Sequence, residues 1–237
     1  MEVTILGKYG PFATNGGSTS GYLVQSGNDY AMLDVGSGTV SKMLSLIDIK
    51  NLKFLFLSHL HYDHVSDIGV LSYAISFLKR GEKLNVYYFD DNSEMSKLLK
   101  GFNCFNLIPF KEGETYFESS FTFSVYKMAH PVPSHGIKIT NGTKTLSYTG
   151  DTTLNDNLDG LIKNSNLLIA DSAFIKADYS PNKPHMSVSQ VANLASKYKI
   201  KTILSHISYN YSDEEVLAEI KNNKYTAIAI EGKTYNL

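Results

Sequence analysis

Arginine is nearly missing from this 237-residue chain: Arg80 stands alone, which excludes a cluster of guanidinium clamps on phosphate. Cysteine is as scarce, and the single Cys104 rules out an internal disulfide and fits a reducing compartment. Net charge is lacking too: 22 Lys and Arg against 23 Asp and Glu leave −1, so no whole-protein field draws in nucleic acid. No apolar run approaches bilayer length, and the opening MEVTILGKYG has no basic region followed by a long apolar one. These absences set the expectation of a cytoplasmic protein with neither a membrane nor a long nucleic acid as partner. Pro/Gly/Ser-rich linkers, repeats and low-complexity tracts are absent as well. Residues 1–237 are therefore expected to form one domain, long enough to bury a substantial core.

The pattern that is present alternates sheet and helix. Strands are expected at 3–6, 21–26, 30–35, 52–58, 83–89, 121–128, 136–140, 145–150, 166–171, 201–206 and 225–230. Helical spacing marks 39–47, 67–80 with a stop at Gly81, 92–101 with a Gly stop, 187–198 and 212–222. Ser187 followed by Gln190 is a capping box. Sheet-rich ends with interspersed helices suggest helices packed outside two sheets.

The chemistry concentrates in SHLHYDHVSD, residues 58–67, which follows the apolar run FLFL. His59, His61, Asp63 and His64 place imidazole nitrogens and a carboxylate, ligands of borderline divalent ions, just past a buried strand. His59 and His61 are two apart and point the same way if strand geometry persists, while Asp63 and His64 turn into the next helix. A polar, solvated loop is the bland alternative, but His-x-His-x-Asp-His is far more demanding than a lone histidine. The remaining candidates also stand where hydrophobic strands run out: His130 after FTFSVYKM, Asp151 after TLSYTG, and His206 after KTILS. His135, in PVPSHG, reads as a surface-loop residue.

HLHYDH, followed in order by His130, Asp151 and His206, resembles the metallo-β-lactamase superfamily over essentially the whole chain. LDVGSG (33–38) is similar to that family's early Asp-x-Gly strand end. The resemblance implies an α/β fold, a four-layer αββα sandwich with a two-metal site at the sheet edges, and makes a homodimer an expectation. Carried over, His59, His61 and His130 would bind one divalent ion, Asp63, His64 and His206 the other, and Asp151 would bridge them. Zinc is the expected metal, with manganese as the alternative, and a bridging water or hydroxide would fill the open position. Asp34 would serve as a hydrogen-bonding neighbour or a strand-end cap.

KPHMSVSQVANLA is similar to the histidine loop of tRNase Z-like phosphodiesterases, which makes His185 a catalytic candidate beside Asp63. An exposed loop histidine is its bland counterpart. Only twenty residues separate His130 from Asp151, so the long tRNA-gripping arm of that branch has no room there. The chain more closely resembles small, armless relatives. The implied substrate is therefore a small or cyclic nucleotide phosphodiester or short RNA. Lactone or thioester hydrolysis of the glyoxalase II kind on the same two ions is the alternative, and it has no need of His185. Export would be expected of a β-lactamase. The di-iron redox branch usually has Glu at the position of His61 and often a flavin domain, for which no residues remain. A metal-binding module without catalysis is disfavoured by the complete ligand set.

Overall fold

The run Leu52–Phe56 shows how this sequence builds layers. Phe54 and Phe56 point to one side and Leu55 and Leu57 to the other, all fully buried, as a strand covered on both faces requires. The structure is a computed structural model that describes residues 1–14 and 16–237. Its first half contains β1 (Glu2–Gly7), β2 (Tyr9–Gly10), β3 (Gly21–Ser26), β4 (Asp29–Leu33), α1 (Thr39–Leu46), β5 (Leu52–Phe56), α2 (Tyr62–Val65) and α3 (Ile68–Phe77). There follow β6 (Leu84–Tyr88), α4 (Glu94–Lys100), β7 (Phe105–Pro109), β8 (Thr115–Glu118), β9 (Phe121–Met128), β10 (Ser134–Thr140) and β11 (Thr145–Tyr148). The chain continues through α5 (Asn157–Ile162), β12 (Leu167–Asp171), α6 (Val188–Tyr198), β13 (Lys201–Ser205) and β14 (Ile207–Ser208). It ends with α7 (Asp213–Ile220), β15 (Thr226–Ile228) and β16 (Thr234–Asn236).

Two seven-stranded sheets face each other, in the orders β16-β1-β3-β4-β5-β6-β7 and β15-β13-β12-β11-β10-β9-β8. Between them lies one core: Val3, Tyr22, Phe54 and Phe56 from the first sheet meet Phe123, Ile137, Ile169 and Ile203 from the second. Outside the first sheet, Val40 and Met43 of α1, Leu71 and Ile75 of α3 and Leu99 of α4 cover Leu55 and Val86. Outside the second, Leu161 of α5, Val188 and Val191 of α6 and Val216 of α7 cover Leu168 and Leu204. This is the four-layer αββα sandwich. No helix among the described residues is long and apolar enough to cross a membrane.

Two local expectations need correction. The helix expected over 67–80 ends at Phe77, not at Gly81. Lys79 takes the left-handed conformation (φ 50°) and the Arg80 N–H donates to the Ile75 carbonyl at 3.2 Å, a Schellman-type stop that a lysine supplies in place of glycine. His135 is no loop residue. It lies in β10, 1% exposed, with its ring stacked on Phe89 and edge-on to Phe110.

Candidate metal centre

β11, β12 and β13 run parallel, and β4, β5, β6 and β7 do the same in the other sheet, so several carboxyl ends open on one edge. β5 delivers His59 there, α2 delivers Asp63 and His64, and the ends of β9, β11 and β13 deliver His130, Asp151 and His206. His61 is the N-cap of α2 and presents Nδ1 3.1 Å from His59 Nε2 and 3.3 Å from His130 Nε2. One group of donor atoms is thus His59, His61, His130 and Asp151, and a second is Asp63, His64 and His206. Asp151 stands between them, with Oδ2 3.5 Å from His59 Nε2 and 3.3 Å from His206 Nε2, and Oδ1 3.2 Å from His64 Nε2.

The outer ends of these rings are held by groups that fix which nitrogen faces inward. The Pro184 carbonyl can only accept, so His130 Nδ1 donates to it at 3.1 Å and Nε2 is left free for the centre. Asp34 does the same for His64, accepting from Nδ1 at 2.7 Å. It also accepts from the Ser58 N–H, the Ser58 hydroxyl and the Tyr148 hydroxyl at 2.7, 2.8 and 2.6 Å. Because the Ser58 hydroxyl donates to Asp34, its oxygen accepts from His59 Nδ1 at 3.1 Å, which frees His59 Nε2 as well. One buried carboxylate therefore sets two imidazoles, and its left-handed backbone (φ 56°) is a conformation that Asp tolerates. His206 is also left-handed (φ 55°), and a Cβ on Gly10 would fall inside its ring, so the glycine lets β2 lie against it.

The electrostatics divide the histidines. Burial holds His59, His61 and His130 below the usual imidazole range. Burial opposes charge on His64 and His206 too, but the carboxylates around them win: Asp151, Asp34 and Asp63 hold His64 well above its ordinary value. Asp151, Asp63 and Asp171 push His206 up to about 9. Against the cost of burial, the same imidazoles keep Asp151 well below the carboxylate range. His64 Nε2 and Asp151 Oδ1 are nevertheless buried without a hydrogen-bond partner among the described residues. Orphaned inward-facing nitrogen and oxygen donors of this kind fit a divalent cation.

His185 lies at the edge of the cluster. Its ring stacks on His206 at 4.8 Å between centroids, and its Nδ1 donates to Asp171 Oδ2 at 2.8 Å. Burial works against its protonation, but Asp171 holds it above the usual range. Asp171 is a site residue that the sequence motifs do not mark. It ends the buried strand LLIAD as Asp151 and His206 end theirs, and that shared position is the available signal. A further donor group of Asp151, Asp171, His185 and His206 lies beside the other two.

An αββα sandwich that gathers buried imidazoles and carboxylates where its strands end is the architecture of a metallo-hydrolase. The chain belongs to the metallo-β-lactamase superfamily, whose family model matches residues 14–206. It is similar to the probable metallo-hydrolase YhfI of Bacillus subtilis, 31% identical over 214 residues that cover 88% of each chain. The crystal structure of YhfI superimposes with a TM-score of 0.91 over 99% of this chain and 98% of that one, at 28% identity. Ribonuclease Z of Methanosarcina acetivorans is 23% identical over 90% of each chain. A diphosphatase of the PhnP family shares the fold, with a TM-score of 0.80, 16% identity, and coverage of 100% of this chain and 97% of that one.

Proposed function

We propose that this metallo-hydrolase is a two-metal phosphodiesterase acting on small or cyclic nucleotide phosphodiesters or short RNA. His59, His61 and His130 would hold one ion, Asp63, His64 and His206 the other, and Asp151 would bridge them. When bound, the ions supply Lewis acidity toward a phosphoryl oxygen and activate water for in-line attack. Asp34 and the Pro184 carbonyl keep three of the imidazoles in the tautomer that the ions need. Asp63 Oδ2 lies 3.2 Å from His206 Nε2, and its carboxylate would also orient the attacking water.

The observation that carries the phosphorus reading is the Asp171–His185 pair. Neither proposed ligand set requires His185, yet a buried carboxylate orients it against the cluster and leaves its Nε2 available. A positioned imidazolium there donates to a charged non-bridging phosphoryl oxygen or to the departing alkoxide; a thioester's thiolate needs no such proton, and a lactone has no non-bridging phosphoryl oxygen to hold. Relatives named ribonuclease Z and diphosphatase lend the same support.

The test is a panel assayed on protein reconstituted with zinc and, separately, manganese. It contains bis-p-nitrophenyl phosphate, 2′,3′- and 3′,5′-cyclic nucleotides, short RNA, lactones and a thioester. Turnover of a phosphodiester is expected; activity confined to the lactones or the thioester would overturn the proposal.

A further inference from the structure

Two exposed aromatic rings belong to neither ligand set and stand on the segments that flank His206. Phe12 and Tyr209 stack on each other at 4.1 Å between centroids and 29° between planes, yet remain 49% and 43% exposed. A clustered pair of half-exposed rings is informative where a single exposed apolar side chain is not. Their position follows from the short parallel pairing of β2 with β14, in register Tyr9 with Ile207 and Gly10 with Ser208. His206 directly precedes that pairing, and the backbone of Gly10 lies on its ring. Phe12 is two residues beyond Gly10 and Tyr209 three beyond His206, so their Cα atoms lie within about 7 and about 11 Å of those residues.

We propose that the stacked Phe12–Tyr209 pair is a subsite that takes the planar base of the substrate, on the His206 side of the metal centre. The proposal rests on the phosphodiesterase reading and names what holds the non-reacting part of the substrate. Stacking suits a nucleobase of any identity, because every base has a π-face and two stacked rings are already ordered. The sole guanidinium is engaged elsewhere, since Arg80 donates to the carbonyls of Leu52, Glu82 and Lys83. No guanidinium is then left to stack on a base, which leaves that contact to aromatic side chains.

The experiment uses the metal-loaded full chain and the variants Phe12→Leu and Tyr209→Leu, which keep apolar bulk in the loop and remove the ring. kcat and KM are measured for 2′,3′-cyclic AMP and for glycerol 1,2-cyclic phosphate, a cyclic phosphodiester without a base. The ratio of kcat/KM between the two substrates should fall about tenfold in each variant, through KM for the nucleotide. An unchanged ratio, whether both substrates suffer equally or neither does, would overturn the proposal and make the pair a structural clasp. If the parent hydrolyses neither compound, calorimetric binding of AMP decides the subsite; the phosphodiesterase reading itself fails only if no phosphodiester of the wider panel is turned over. A Kd weakened about fivefold or more in the variants sustains it, and equal affinity overturns it.

Discussion

Replacing Asp34 by asparagine should uncouple metal binding from folding. Asparagine tolerates the left-handed backbone at this position, so the substitution changes hydrogen bonding without adding strain. The carboxylate accepts four bonds, one at Oδ1 from the Ser58 N–H and three at Oδ2 from His64 Nδ1 and the hydroxyls of Ser58 and Tyr148. An amide must put its NH2 on one side. On the Oδ1 side it faces a backbone donor that cannot adapt, at a cost of about 1–3 kcal/mol. On the Oδ2 side the two hydroxyls can rotate to accept, and His64 can move its proton to Nε2. The second arrangement is cheaper, but it removes the inward lone pair from His64. Metal affinity at the site that uses His64 should then fall about 10- to 100-fold, the usual cost of losing such an orienting partner. The metal-free protein should lose only about 1–2 kcal/mol, the difference between charge-assisted and neutral bonds, or roughly 2–8 °C in Tm for a chain of this size. Tyr148→Phe is the control, since it removes one donor and leaves the His64 tautomer alone. Competition with a chromophoric chelator gives the affinity, and thermal unfolding in EDTA gives the stability. Parent affinity for both ions in Asp34→Asn would refute the tautomer argument.

Asp151→Ala should lose at least one of two bound ions in elemental analysis, because its carboxylate lies within 3.2–3.5 Å of ligand nitrogens from both groups. His135 should make the fold acid-sensitive. Burial holds its imidazole below the usual range, with Glu112 at 3.3 Å only partly opposing, so its contribution is complete above the unfolded value near 6.5 and is lost as the pH falls below it. Comparing Tm between about pH 8 and about pH 5.5, the parent should therefore lose stability relative to His135→Gln. A constant gap would refute the assignment.

Much of this molecule is legible in its sequence because two periodicities and one dense motif carry it. β3 (Gly21–Ser26) and β9 (Phe121–Met128) fall at the expected bounds, and the Ser187–Gln190 capping box opens α6 as expected. The residues of HLHYDH, with His130, Asp151 and His206, converge because each follows a strand whose apolar run is plain to read. Short elements are harder to see. β7 ends in a proline and lies at a sheet edge, β16 is three residues long, and β14 has only two. Their pairing is set by neighbours distant in sequence, not by their own pattern. Gly10 is hidden for a related reason: Gly-Pro reads as a turn, and only the three-dimensional approach of β2 to His206 shows why a side chain there is excluded. His135 reads as a loop residue because PVPSHG carries turn residues, while the aromatic box formed by Phe89 and Phe110 comes from remote segments.

The most direct test of the phosphodiesterase account is His185→Ala, with metal content and turnover of a 2′,3′-cyclic nucleotide, whose leaving group is an alkoxide, measured on the same preparation. Two ions per chain should remain while kcat falls about a hundredfold to ten-thousandfold, the range of a positioned general acid. Loss of an ion would instead make His185 a ligand together with Asp151, Asp171 and His206, and turnover at the parent rate with both ions in place would contradict the account outright.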